Sequence, residues 1–190
     1  MTIWVDADSV PVAMRAVILR AAVRTGCPAC FVADRILKDV ASFIAEDTHS
    51  IRVKTGSKTD RSAIKLVTVQ SGTDSADNYV VQNASPGDLC ITHDIPLASR
   101  LLEKGCAVID DRGGQFTLEN ISSRLFDRDI NSQLRLCGVF EKQSKTTGSS
   151  NIKAFSDNFD RVLTSSLLTK TAQNSDNMPR NYKIACSDRQ

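Results

Sequence analysis

The sequence predicts an α/β protein built on a mainly parallel sheet, and three observations carry that prediction. Short apolar runs alternate with amphipathic stretches along most of the chain, the pattern of strands joined by crossover helices. One unit occurs twice: an apolar strand, an aspartate, a proline and a helix, first as Ile3–Val5, Asp6 and Pro11, then as Leu89–Thr92, Asp94 and Pro96. Acidic residues also gather where the predicted strands end, which is the edge where open α/β sheets form their ligand crevice.

The bulk composition sets the limits. A chain of 190 residues, 41% hydrophobic and 24% charged, suits one soluble domain with a core of its own. A net charge of +2 neither demands a polyanionic partner nor excludes a local basic face. No segment is long and apolar enough for a membrane span, and aspartates follow the first strand at once where a signal peptide would place its cleavage site. The expected location is the cytoplasm. Cys27 and Cys30 form a CxxC, but a closed zinc site needs four ligands and the only histidines are His49 and His93. Reduced core thiols are the better reading of the six cysteines.

Taken in order, Ile3, Trp4 and Val5 form a buried strand that delivers Asp6 and Asp8 to its carboxyl end. Asp8 or Ser9 is expected to cap a helix whose apolar residues Met14, Val17, Ile18 and Ala21 keep helical spacing from Val12 to Thr25, and Gly26 ends it. Cys30–Ala33 is a second strand. Val40–Ala45 has helical character, Ser50–Val53 reads as a short strand and Thr55–Asp60 as a polar loop. Arg52, Lys54, Lys58, Arg61 and Lys65 surround a single acid there, Asp60. Such a segment attracts a nucleic-acid backbone, but it also reads as a solvated loop, because no aromatic residue is interleaved to stack on bases.

Leu66–Val69 is the next strand. Asp74 then stands where a helix cap is expected, with Asp77 one turn later and Val80 and Val81 continuing the helix. After the strand Leu89–Thr92, the helix opened by Pro96 carries Leu97, Ala98, Leu101 and Leu102 to Gly105. Cys106–Ile109 is a fifth strand and runs into Asp110 and Asp111. A further helix passes through Ile121, Leu125 and Ile130. Residues 141–153 read as a polar linker, Phe155, Phe159, Val162, Leu163 and Leu167 as the apolar stripe of a helix over about 154–168, and 169–190 as a disordered tail. The stripe is expected to dock within the chain, and a homo-oligomer remains open.

Capping accounts for one acid per helix. It does not account for three strand ends and a helix start that are all acidic. Parallel neighbours bring such ends to one edge, where clustered carboxylates repel one another, and Mg²⁺ or Mn²⁺ is the cation that oxygen ligands of this kind select.

Several pieces in order resemble the bacterial YaiI/YqxD family, a largely uncharacterised group with a PIN-like fold: IWVDADSVPV at 3–12, SGTDSADNYVV at 71–81, GDLCITHDIPLA at 87–98 and DDRGGQFTLENI at 110–121. Weaker agreement continues to about residue 168. Three departures stand out: Ser9-Val10 replaces an Ala-Cys pair, Asp111 replaces a proline before Arg112, and residues 46–62 are longer. The resemblance implies a single three-layer α/β/α domain over residues 1–168. It also implies a divalent-metal ribonuclease site in which Asp6, Asp77 and Asp94 are the catalytic ligands. Asp8, Asp74 and Asp110 would support them or hold a second ion, and Arg112 would meet the substrate phosphate. Two other functions fit the same residues. Asp-Ala-Asp-Ser-Val after a strand matches the opening of HAD-type phosphatases, with Asp6 as nucleophile. A non-catalytic module that binds metal together with RNA or a protein also fits.

Overall fold

A computed structural model describes residues 1–56, 62–70, 72, 74–137 and 149–176. Its strands are β1 (Ile3–Asp6), β2 (Ala29–Ala33), β3 (Ile64–Thr68), β4 (Leu89–Ile91), β5 (Ala107–Ile109) and β6 (Gln115–Phe116). Its helices are α1 (Val12–Thr25), α2 (Lys38–Thr55), α3 (Ser75–Asn83), α4 (Ile95–Glu103), α5 (Ile121–Leu136) and α6 (Ser149–Asp176). The sheet order is β3-β2-β1-β4-β5-β6, parallel except for β6, which pairs antiparallel with β5. The result is the expected three-layer α/β/α fold.

Alternation along the strands separates the two faces. Ile3 and Val5 of β1 point into a core shared with Met14 and Ile18 of α1, Val40 of α2, and Phe155 and Phe159 of α6. Trp4 points the other way, into a core with Val80 of α3, Leu97 and Leu101 of α4, and Ile121 of α5. The helices therefore sort as α1, α2 and α6 on one face and α3, α4 and α5 on the other. Phe155, Phe159 and Leu163 are fully buried, so the apolar stripe docks within the chain as its spacing predicts. The Trp4 indole and the Thr2 amide both donate to buried Asp88, which ties the start of β1 to the turn before β4.

Several expectations change. Ser50–Val53 is helical, as the continuation of α2 to the left-handed Gly56. Ile51 and Val53 favour a strand locally, but propensity is a weak prior and the packing of Phe43 and Ile44 on the core carries the helix onward. α1 begins at Val12 with Pro11 in the cap position and no side-chain cap bond, so neither Asp8 nor Ser9 caps it. Residues 149–153, expected as linker, already belong to α6, and α6 continues through 169–176 into the expected tail. The rest of the linker and residues 177–190 lie outside the described residues. The two-residue strand β6 is too short to leave a sequence period.

Candidate functional site

The loops leaving β1, β2, β4 and β5 meet at the carboxyl edge of the sheet, and the side chains expected as caps hold them together. The Asp34 amide donates to Asp8 Oδ2 at 2.7 Å, joining the β1 loop to the β2 loop. The Ser9 hydroxyl donates to the Asp6 carbonyl and accepts the His93 amide at 3.1 Å, joining the β1 loop to the β4 loop. Beneath them, the buried Arg15 guanidinium donates to the carbonyls of Ala7 and Val10 and pairs with Asp39 at 2.9 Å. Burial alone would push the Asp39 carboxyl up, but the Arg15 hydrogen bond and charge outweigh it and hold Asp39 below the ordinary range.

Asp6 lies at the floor of the crevice, 7% exposed, where the Thr92 hydroxyl donates to Oδ2 at 2.8 Å. Burial pushes its carboxyl up, and Asp8 and Asp94 push the same way. Asp77, half-buried in the first turn of α3, is pushed up to about 6 by burial and then by the charges of Asp6, Asp94 and Asp74. The fold thus brings Asp6, Asp74, Asp77 and Asp94 into one another's field. Asp94 also caps α4, a role its sequence position was not read to have: Oδ2 accepts the Leu97 amide at 3.0 Å, leaving Oδ1 at 3.7 Å from Arg128 Nη2. Asp74 occupies the cap position of α3 in a left-handed conformation (φ 61°) and makes no side-chain cap bond. Capping therefore does not explain its carboxylate.

Asp110 is placed differently. Its Oδ1 accepts the amides of Arg112 and Gly114 across its own turn, and Oδ2 lies 3.5 Å from Arg124 Nη1. A Cβ at Gly114 would sit 2.6 Å from that carboxylate, so the turn requires glycine there. Asp110 is thus a hairpin clasp with both oxygens engaged.

The basic residues of the site are not the expected ones. Lys54 is in the last turn of α2, exposed, and α2 runs back for about 27 Å to the amino ends of the strands. That is the opposite edge from Asp6. Lys58 and Arg61 lie outside the described residues. Arg112 is exposed at the β5–β6 turn, on the crevice side. Among the described residues, the cations that meet the predicted site acids directly are Arg35, whose Nη2 is 3.4 Å from Asp8 Oδ1, Arg128 on Asp94, and Arg124 on Asp110. Arg100 also acts on Asp77 and bonds Asn78. Reading the sequence missed Arg35, Arg100, Arg128 and Thr92, since no local signal couples them to the acids. It also missed a pair, His93 Nδ1 with Asp111 Oδ1 at 2.8 Å. The Asp111 bond raises the imidazole above its ordinary range; burial pushes the Asp111 carboxyl up, but His93 outweighs it and holds it low.

Whether these residues suit a divalent cation follows from their chemistry. The donors are all hard carboxylate oxygens, and among the described residues Asp8 Oδ1 is buried without a hydrogen-bond partner, with Arg35 at a charge contact of 3.4 Å. Among the described residues, however, no three His, Cys, Asp or Glu side chains converge on one point. That arrangement suits Mg²⁺ as proteins usually hold it, by one or two carboxylates with water and substrate phosphate completing the shell. A closed protein cage is not present among the described residues.

Acidic side chains at the carboxyl edge of a mainly parallel sheet, with arginines beside them, define the class: a three-layer α/β/α protein with an acidic candidate site. The family follows from sequence. Residues 4–165 match the model described as "Uncharacterized BCR, YaiI/YqxD family", and the chain belongs to that family. It is 37% identical over 164 residues to a UPF0178 protein of Syntrophobacter fumaroxidans, covering 86% of this chain and 95% of the relative. It is 38% identical to a UPF0178 protein of Shewanella loihica, covering 86% and 97%. No solved structure matches it. No helix among the described residues is long and apolar enough to cross a membrane.

Proposed function

We propose that this protein is a cytoplasmic, divalent-metal-dependent ribonuclease that hydrolyses phosphodiesters in the crevice of Asp6, Asp77 and Asp94. The observation that carries the reading is the shared field of these acids, seen in Asp77, whose carboxyl is raised to about 6 by burial and by its acidic neighbours. A fold that holds carboxylates in mutual repulsion on rigid strand ends does so at a cost in stability, and a cation relieves it. When bound, Mg²⁺ or Mn²⁺ would polarise a phosphoryl oxygen as a Lewis acid and make a water more nucleophilic.

The chain's own residues do the rest. Thr92 fixes the Asp6 carboxylate by its 2.8 Å hydrogen bond. Arg15 holds the loop from Ala7 to Val10 in place. Asp77 and Asp94 present carboxylate oxygens from two helix starts on the same side of the sheet. The phosphatase reading is less well supported. The second aspartate of its motif, Asp8, is engaged with the Asp34 amide and Arg35, where that chemistry needs it free for proton transfer.

The test is cleavage of single-stranded RNA with Mg²⁺ or Mn²⁺, beside Mn²⁺ titration by calorimetry, on wild type, Asp6→Asn and Asp77→Asn. Metal-dependent cleavage lost in both folded variants supports the reading. RNA binding without cleavage under either metal would instead identify a binding module.

A further inference from the structure

We propose that Arg35 and Arg128 are the phosphate-binding side chains of the crevice, holding one nucleic-acid strand on the two sides of the phosphate to be cleaved. This rests on the nuclease reading and extends it to substrate recognition.

Each arginine reaches a crevice acid from a different flank. Arg35 stands in the β2–α2 loop and meets Asp8; Arg128 stands on α5 and meets Asp94. Their separations of 3.4 and 3.7 Å are charge contacts beyond good hydrogen-bond geometry. The side chains are 63% and 47% exposed, so each is free to turn outward, and exposed pairs of this kind add little to stability. The buried Arg15, by contrast, is fixed by two carbonyls and a carboxylate. Two loosely held guanidiniums above acids that repel one another are counter-charges, available for exchange. Once those acids are neutralised by a divalent cation, Arg128 loses the charge it faces on Asp94, and Arg35 keeps only its 3.7 Å contact with the exposed Asp34. A phosphate, which both guanidiniums match as a planar fork, then becomes the better partner.

The strand order sets the span. Arg35 follows β2, while α5 lies beyond β4 and contacts the end of β5 through Arg124. The acids that the two guanidiniums meet, Asp8 and Asp94, follow the neighbouring strands β1 and β4, one strand spacing of about 5 Å apart. The two guanidiniums therefore approach the same pair of loops from opposite sides, close enough for neighbouring phosphates of a single strand. Asp6 and Asp8, at the end of β1, and Asp94, after β4, lie between the flanks.

The test uses the full chain and two probes. Mn²⁺ alone is titrated by calorimetry, and a fluorescent single-stranded oligouridylate is titrated by anisotropy in Ca²⁺ over a range of salt, beside uridine monophosphate. Arg35→Gln and Arg128→Gln should each raise Mn²⁺ affinity, by up to about fivefold, because the acid loses its competing cation. Each should also weaken oligouridylate binding and lower its salt slope by about 0.7. The mononucleotide should be little affected, and Arg20→Gln, an exposed arginine of α1, should change neither. Lysine at either position should restore the salt slope without full affinity. Wild-type oligouridylate affinity and slope in both glutamine variants would overturn the assignment while leaving the nuclease reading intact. If wild type binds neither Mn²⁺ nor oligouridylate, that reading falls and this one falls with it.

Discussion

Replacing Asp77 by asparagine should stabilise the protein, and the gain should depend on pH. The unfolded chain releases this proton near the ordinary value of 3.8, whereas the folded protein holds it to about 6. The difference corresponds to at most about 3 kcal/mol of strain on the ionised side chain. Asp77 is only half-buried, and solvent screening reduces this to about 1–2 kcal/mol. Against it stands the loss of a negative charge in the first turn of α3, worth up to about 1 kcal/mol. A net gain of about 1 kcal/mol is expected at neutral pH, or about 2–4 °C in Tm for a chain of this size. Between 3.8 and about 6 the folded state binds more protons than the unfolded state, so wild-type stability falls as pH rises through that window. The advantage of Asp77→Asn should therefore be absent near pH 4 and complete above about pH 6.5. Urea unfolding of both proteins across that range measures it. An asparagine variant that is neutral or less stable at neutral pH, or equally shifted at both ends, would show that burial and the neighbouring acids do not raise the Asp77 carboxyl.

Two further outcomes follow from the same loops. Thr92→Val removes the donor to the buried Asp6 carboxylate and should cost about 1–3 kcal/mol at neutral pH. The cost should shrink in acid, where Asp6, raised by burial, takes up its proton; a pH-independent loss by urea unfolding would point to packing instead. Asp111→Asn should lower the titration midpoint of His93 from above 6.5 toward or below that value. Ring proton shifts by NMR report it, and identical midpoints in the two proteins would mean the pair is not formed in solution.

The sequence alone determined what is local. Period and punctuation were enough for the helix from Val12 to Thr25, whose bounds the structure reproduces. Apolar runs placed β1, β2, β4 and β5, because strands buried on both faces read as continuous hydrophobic stretches; β3, expected at Leu66–Val69, is an edge strand over Ile64–Thr68 with Lys65 and Thr68 exposed. The repeated strand, aspartate, proline and helix unit put Asp6 and Asp94 at one edge, since a parallel sheet turns equal positions in a repeat into neighbours. Tertiary structure decided what those acids meet. Asp8 and Ser9 look like caps in sequence, yet they bind backbone amides of the next loops, which no local pattern encodes. Ser50–Val53 became helix because packing at Phe43 and Ile44 outweighed two β-branched residues. The counter-charges are the clearest case: the basic run around Lys54 looked suited to a polyanion, but α2 carries Lys54 to the opposite edge. Arg35 and Arg128, isolated in sequence, reach the crevice because a folded sheet brings loops together by strand order and not by distance along the chain.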